Sequence, residues 1–189
     1  GICHPPSVVF HAYLRWLYTQ GEKTQNKNFR ETEYDGWLIK IEDLHARRSP
    51  GSTCISSLVK GVMGDIDNSI NNSKGCGGVI RVAPVGLCVR EGMVFELASE
   101  IAAITHGHPS GYLAAGVFAM IIDNIISGMS IVDSINNSLE TLKTKKYHEE
   151  CLSKIQLAMK LVLKSKSPEE DIKRIGEGWI AEEAIAISI

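Results

Sequence analysis

The 189-residue sequence has no CxxC pair, no GKS/T phosphate loop, no GxGxxG fingerprint and no basic-then-apolar N-terminal leader. Basic side chains are not in excess, 20 Lys and Arg against 22 Asp and Glu, for a net charge of -2 and a pI near 6.3. Affinity for nucleic acid or an anionic membrane rests on concentrated Lys and Arg, so neither is an expected partner. The five cysteines, Cys3, Cys54, Cys76, Cys88 and Cys151, are odd in number and widely spaced. That argues against a zinc knuckle or a disulfide framework and for a reducing, cytoplasmic setting. There the triplets Asn71-Asn72-Ser73 and Asn136-Asn137-Ser138 are not glycosylation sites. The longest apolar run, Leu113 to Ile122, is broken by Gly116 and too short for a bilayer.

What is present is the balance of an ordinary globular chain, 44% hydrophobic and 22% charged, long enough to bury a core as a single domain over residues 1–189. Apolar spacing predicts a first helix from Pro5 to Gly21 with Val9, Ala12, Tyr13, Trp16 and Leu17 on its inner face. A second is predicted through Trp37, Leu38, Ile41 and Leu44 up to Arg47-Arg48, and a third after a Ser52 cap. From Met93 the pattern is helical almost throughout, with a central helix from Ser110 to Ile126 and breaks at Thr105–Pro109 and Gly128. Ser130 caps a helix with Val132, Ile135, Leu139 and Leu142 inside, the next carries Cys151 to Val162, Ser167-Pro168-Glu169-Glu170 opens a short one, and Trp179 starts the last. Two-residue alternation is nowhere sustained. The expected fold is all-α, a multi-helix orthogonal bundle.

Chemistry concentrates in two places. In Ser73-Lys74-Gly75-Cys76-Gly77-Gly78, within the aperiodic segment 64–78, glycines let backbone N–H groups converge on an anion while Ser73 adds a hydroxyl and Lys74 a charge. A purely structural turn is the competing reading. His106 and His108, at i and i+2, do not share a helix face and make a poor metal pair, but His106 could point from its helix end into a pocket beside the loop. Asp65-Ile66-Asp67 reads as a solvated turn, Glu169-Glu170-Asp171 and Glu182-Glu183 as N-terminal helix charges on exposed faces, and His4, His11, His45 and His148 as surface histidines. No nucleophile triad is visible. The pentapeptide SINNS occurs at 69–73 and again at 134–138, the second time inside an amphipathic helix.

The blocks NNSKGCGGVIRVAPVGL, AAITHGHPSGYLAAG and GEGWIAEEAIAIS, together with AYLRWLYTQG and ARRSPGSTCISSL, resemble the ADP-ribosylglycohydrolases related to the dinitrogenase reductase-activating glycohydrolase. The resemblance implies an all-α hydrolase that cleaves the glycosidic bond between ADP-ribose and a protein side chain or a related ADP-ribosyl compound, through water activated by two Mg2+ ions. It maps the family's Ser-x-Gly-x-Gly element onto Ser73, Gly75 and Gly77, and its Thr-His element onto Thr105 and His106. Substrate-binding residues are thus expected at Ser73, Lys74, Gly75, Cys76, Gly77, Gly78 and His106. The family's Thr-Asp-Asp and Gly-Asp-x-Asp metal motifs do not occur, so the chain resembles the central part of such an enzyme, truncated at both metal-binding ends, with no metal ligands and no assigned catalytic residue. The alternative is an inactive ADP-ribose-binding module or a structural remnant.

Overall fold

The computed structural model describes residues 3–30, 34–89, 92–164 and 167–189. They form nine α-helices: α1 Pro5–Thr19, α2 Ser52–Lys60, α3 Ala83–Cys88, α4 Val94–Ala103, α5 Pro109–Ile126, α6 Ile131–Lys143, α7 Glu149–Val162, α8 Pro168–Ile175 and α9 Ala181–Ser188. Among the described residues extended pairing is limited to an isolated antiparallel bridge between Gly75 and Ile180. The all-α expectation holds.

α5 is the axis of the main core and packs against α3, α4, α6, α7 and α9. Its small residues decide how closely they approach. A Cβ on Gly116 would strike Ser99 Oγ and lie 2.9 Å from Phe95 O, both on α4, and one on Gly86 of α3 would strike Ala119 O. Those backbones can touch only where side chains are missing. The 18 residues of α5 are long and apolar enough by composition to cross a membrane, a length the broken apolar run did not suggest, but 61% of the helix is buried inside the fold. A second cluster joins α1 to α2 and to Ile104 through Phe10, Leu14, Leu17 and Leu58. A third joins α7, α8 and α9 through Ala158, Leu161, Ile175 and Ala186.

Local signals place most helix ends. Pro84 falls in the first turn of α3, Pro168 in that of α8, and Ser130 Oγ accepts from Asp133 N. Ser52 is the first residue of α2 and makes no cap bond, because Gly51 holds the cap position. The helix expected through Trp37 and Leu44 is instead a pair of 3-10 turns, Leu38–Lys40 and Glu42–His45, with no buried residue. Its apolar residues face α1 only across an open cavity, and Trp37 is 72% exposed. On α1 the fully buried face is Phe10, Leu14 and Leu17, with Val9 and Tyr13 only partly covered. Val132 and Val162 are exposed because a 3.6-residue stripe is wider than the neighbours that cover it, and Trp179 lies outside α9, whose cap is Ile180.

Replacing Gly116 by Ala forces α4 and α5 apart, and the unfolding free energy is expected to drop by about 1–3 kcal/mol in chemical denaturation with helix content retained.

Candidate functional site

The turn between α4 and α5 is buried from Ile104 to Gly107. The amides of Thr105 and His106 both close back on Ala102 O, at 3.2 and 3.0 Å, which carries the His106 side chain out of the last turn of α4. His108 starts α5: its Nδ1 accepts from Ser110 N at 3.1 Å, and its own N–H donates to Ser73 O at 3.2 Å. His108 thus caps α5, while His106 turns inward and is 2% exposed.

One side chain of the loop organises this region. Asn71 Nδ2 donates to Ser57 Oγ on α2 at 3.0 Å and to Thr105 O at 2.8 Å, and its Oδ1 accepts from Ser73 N at 2.9 Å and Gly107 N at 3.2 Å. Two donors and two acceptors saturate the amide, so α2, the glycine loop and the α4–α5 turn are fixed to one another. Gly107 is required by proximity, since a Cβ there would collide with Ser69 Oγ and Asn71 O.

The glycine loop lies against the imidazole of His106. A Cβ on Gly77 would stand 3.2 Å from His106 Cε1 and 3.3 Å from Nε2, one on Gly75 3.5 Å from Nε2, and one on Gly78 3.7 Å from Cγ. None of these three glycines has positive φ. Space is tightest at Gly77, where a Cβ would press on the ring, and at Gly78, where it would press on Ala102 Cβ at 3.2 Å; a Cβ on Gly75 would only touch the ring. Ser73 Oγ lies 3.2 Å from Thr53 Oγ1 and accepts from Gly75 N at 3.3 Å. Cys76 N donates to Trp179 O at 3.1 Å. Two of the amides that an anion nest would use are therefore engaged within the fold. Lys74 also differs from the sequence expectation, because its Nζ is held by Glu150 and Glu182 rather than left as an open charge.

Burial and, to a lesser degree, the Arg81 guanidinium lower the His106 pKa from 6.5 to about 4, so the ring is neutral at physiological pH. Its Nδ1 shares a 2.8 Å hydrogen bond with Thr105 Oγ1. Arg81 itself donates through Nη2 to Ile101 O and Ala102 O at the C-terminal end of α4, and through Nη1 to Cys54 Sγ, and it lies 4.7 Å over the Tyr13 ring. Its bonds go to carbonyls and a thiol, so among the described residues no carboxylate pairs with it and its positive charge stays beside His106. A guanidinium at a helix C-terminus also complements the carbonyl dipoles.

The family model for ADP-ribosylglycohydrolase matches residues 1–189, the entire chain. The chain belongs to the ADP-ribosylglycohydrolase family. No curated protein and no solved structure matches it. The fold brings together Ser73, Gly75, Gly77, Gly78 and His106. It adds Thr53, Cys54, Ser57, Asn71 and Arg81, none of which the motifs mark as site residues. A separate cavity of about 510 Å³ lies between α1 and residues 35–50, lined by Trp16, Trp37, Leu38 and Leu44, and contains none of the loop residues.

The remaining candidates resolve simply. Asp65 Oδ1 accepts from Asp67 N at 2.8 Å and from Asn68 N, a closed turn that also lowers its pKa, as the solvated-turn reading required. His4, His45 and His148 bond to nearby residues, with Ser7 Oγ, Ile39 O and Lys145 O as partners, and His11 packs against Phe10 and Phe29. All five cysteines are free, and burial pushes the Cys151 thiol up to about 12, which makes it inert. Glu169, Glu170 and Asp171 do occupy the first turn of α8. Glu182 departs from the expectation of an exposed face and is fully buried. For the two Mg2+ ions implied by the resemblance the donor set does not fit: among the described residues no three His, Cys, Asp or Glu side chains group to hold a metal. Glu150 and Glu182 already share an ammonium.

Two measurements check this geometry. Since the folded His106 titrates near 4 and the unfolded one near 6.5, the unfolded chain takes the proton first. This group therefore costs nothing above about pH 6.5 and lowers stability by about 3 kcal/mol in full as the pH falls through that window. Unfolding free energies of wild type and His106→Asn should converge or cross on acidification from pH 7 to pH 4. Separately, Asn71→Asp removes both donors and sets a carboxylate against Thr105 O, for an expected loss of about 2–4 kcal/mol. Asn136→Asp, at the matching position of the second SINNS copy, should stay within about 0.5 kcal/mol of wild type.

Proposed function

We propose that the chain binds the ADP-ribose part of an ADP-ribosylated protein side chain, or of a small ADP-ribosyl compound, at the Ser73–Gly78 loop and His106, and serves hydrolysis of the bond that joins it. The observation that carries this reading is the neutral, buried His106 ring seated on Gly75 and Gly77 beside the Ser73 hydroxyl. An uncharged imidazole and hydroxyls suit the hydroxyl groups of a ribose, since they exchange hydrogen bonds with a neutral partner without the desolvation cost of a charge. Arg81, whose bonds go to carbonyls and a thiol, supplies the positive potential that a diphosphate seeks.

Within that reading the chain's own residues bind and orient. His106 holds the sugar through a ring whose orientation Thr105 sets at Nδ1, and the buried turn excludes water from that side. Cleavage at an anomeric carbon passes through an oxocarbenium-like state, and an uncharged His106 ring adds no positive charge of its own to oppose the one that develops there. A second reading, a binding module that holds ADP-ribose without turning it over, is favoured by the absence of a metal-holding group among the described residues.

Calorimetric titration with ADP-ribose, with and without Mg2+, tests the site. Binding independent of Mg2+ is expected. Gly75→Val and Gly77→Val should each weaken it at least about tenfold, because the branched side chain meets the His106 ring. Undiminished affinity in both variants, with helix content retained, removes the loop from the site. Release of free ADP-ribose from an ADP-ribosylated protein would decide between the hydrolase and the binding module.

A further inference from the structure

The ammonium of Lys74 lies 2.9 Å from Glu182 Oε1 and 2.5 Å from Glu150 Oε1. The two carboxylates are not equivalent. Glu150 is 44% exposed, receives a second hydrogen bond from Ser110 Oγ, and water can satisfy it. Glu182 is 1% exposed and its other oxygen, Oε2, has no hydrogen-bond partner. A carboxylate so enclosed is stable as an ion only while a counter-charge is in contact. Around it stand Lys74 from the loop and Glu150 and Cys151 from α7, with His108 beside Glu150. The thiol stays protonated and the second carboxylate repels, so Lys74 is the group in this set that compensates the charge. The same residues carry a strand-like contact: Ala181 N donates to Lys74 O at 2.7 Å, Cys76 N to Trp179 O at 3.1 Å, and Gly75 bridges Ile180. The adjacent Glu183 faces another way, to the amides of Glu177 and Gly178 and to Lys154.

We propose that Lys74 is a positioning residue: its ammonium neutralises buried Glu182 and thereby clamps residues 74–76 of the glycine loop onto 179–181, holding Gly75 and Gly77 against His106. Its consequence for ADP-ribose rests on the function proposed above. The clamp itself does not.

Hydrogen exchange of the Cys76 and Ala181 amides reads the clamp without ligand, and ADP-ribose titration reads its consequence. In Lys74→Met at pH 7, protection of both amides should fall at least about tenfold while the Glu177 and Gly178 amides, held by Glu183, keep theirs. Protection should return at pH 7 in the double variant Lys74→Met/Glu182→Gln, whose neutral amide needs no counter-ion. ADP-ribose affinity should follow the same order. Full protection in Lys74→Met, or a double variant that regains none, overturns the proposal. Full protection with lost affinity would make Lys74 a phosphate ligand instead. Should Lys74→Met fail to fold, the double variant must restore folding, and its failure to do so counts against the clamp. A wild type that binds no ADP-ribose refutes the proposed function and leaves the exchange pattern to decide the clamp.

Discussion

The amide of Asn71 has four hydrogen-bonding positions, and each is used by a different group: Ser57 on α2, the backbone of Ser73 in the glycine loop, and the backbones of Thr105 and Gly107 in the α4–α5 turn. The other features of this region follow from that saturation. The turn can be buried because its polar backbone groups have a partner, and buried polar groups without partners are costly. The loop is drawn onto the turn, which places Gly75 and Gly77 on the His106 ring. The ring, enclosed in this way, stays neutral. Identical SINNS letters at 134–138 have no comparable role: Asn136 and Asn137 are exposed on α6, while Ser134 and Ser138 pack inward near Asn124.

Charge is arranged by the same economy. Arg81 faces carbonyls at the end of α4, where a cation offsets the helix dipole, and its field helps to keep the neighbouring imidazole uncharged. Lys74 is absorbed by Glu182 and Glu150 on the opposite side of the loop. Two cations close together in the sequence thus act in different directions: one leaves positive potential by the ring, and the other cancels a buried negative charge. The successive carboxylates Glu182 and Glu183 divide in the same manner, since neighbours on a helix point about 100° apart. One secures the glycine loop, the other its own turn and α7.

Much of the fold was legible because helix ends and periods are local. Pro168 in a first turn, the Ser130 cap and the all-round apolar α5 each follow from spacing that needs no distant partner. Residues 37–48 misled for the complementary reason: helical spacing is only an offer of an apolar face, and where no residue of that face is buried the segment settles into short turns. Ser73, the glycines and His106 could be named as candidates from residue type and family pattern. Asn71, Thr53, Ser57 and Arg81 could not, because hydrogen-bond saturation depends on groups up to 48 positions away.

The sequence by itself determined an all-helical chain, its family, the axial helix α5 and the two segments that meet at the candidate site. Helix formation is governed by interactions within a few residues, and family pattern is read letter by letter. Only the tertiary structure decided what those letters do. It gave the glycines the task of making room for an imidazole, turned Lys74 from an open cation into the partner of Glu182, and buried a glutamate that its own helix would have left in water. The physical reason is that space, charge compensation and hydrogen-bond saturation are properties of neighbours in three dimensions, and these neighbours are supplied by α2, α4, α7 and α9 rather than by adjacent residues.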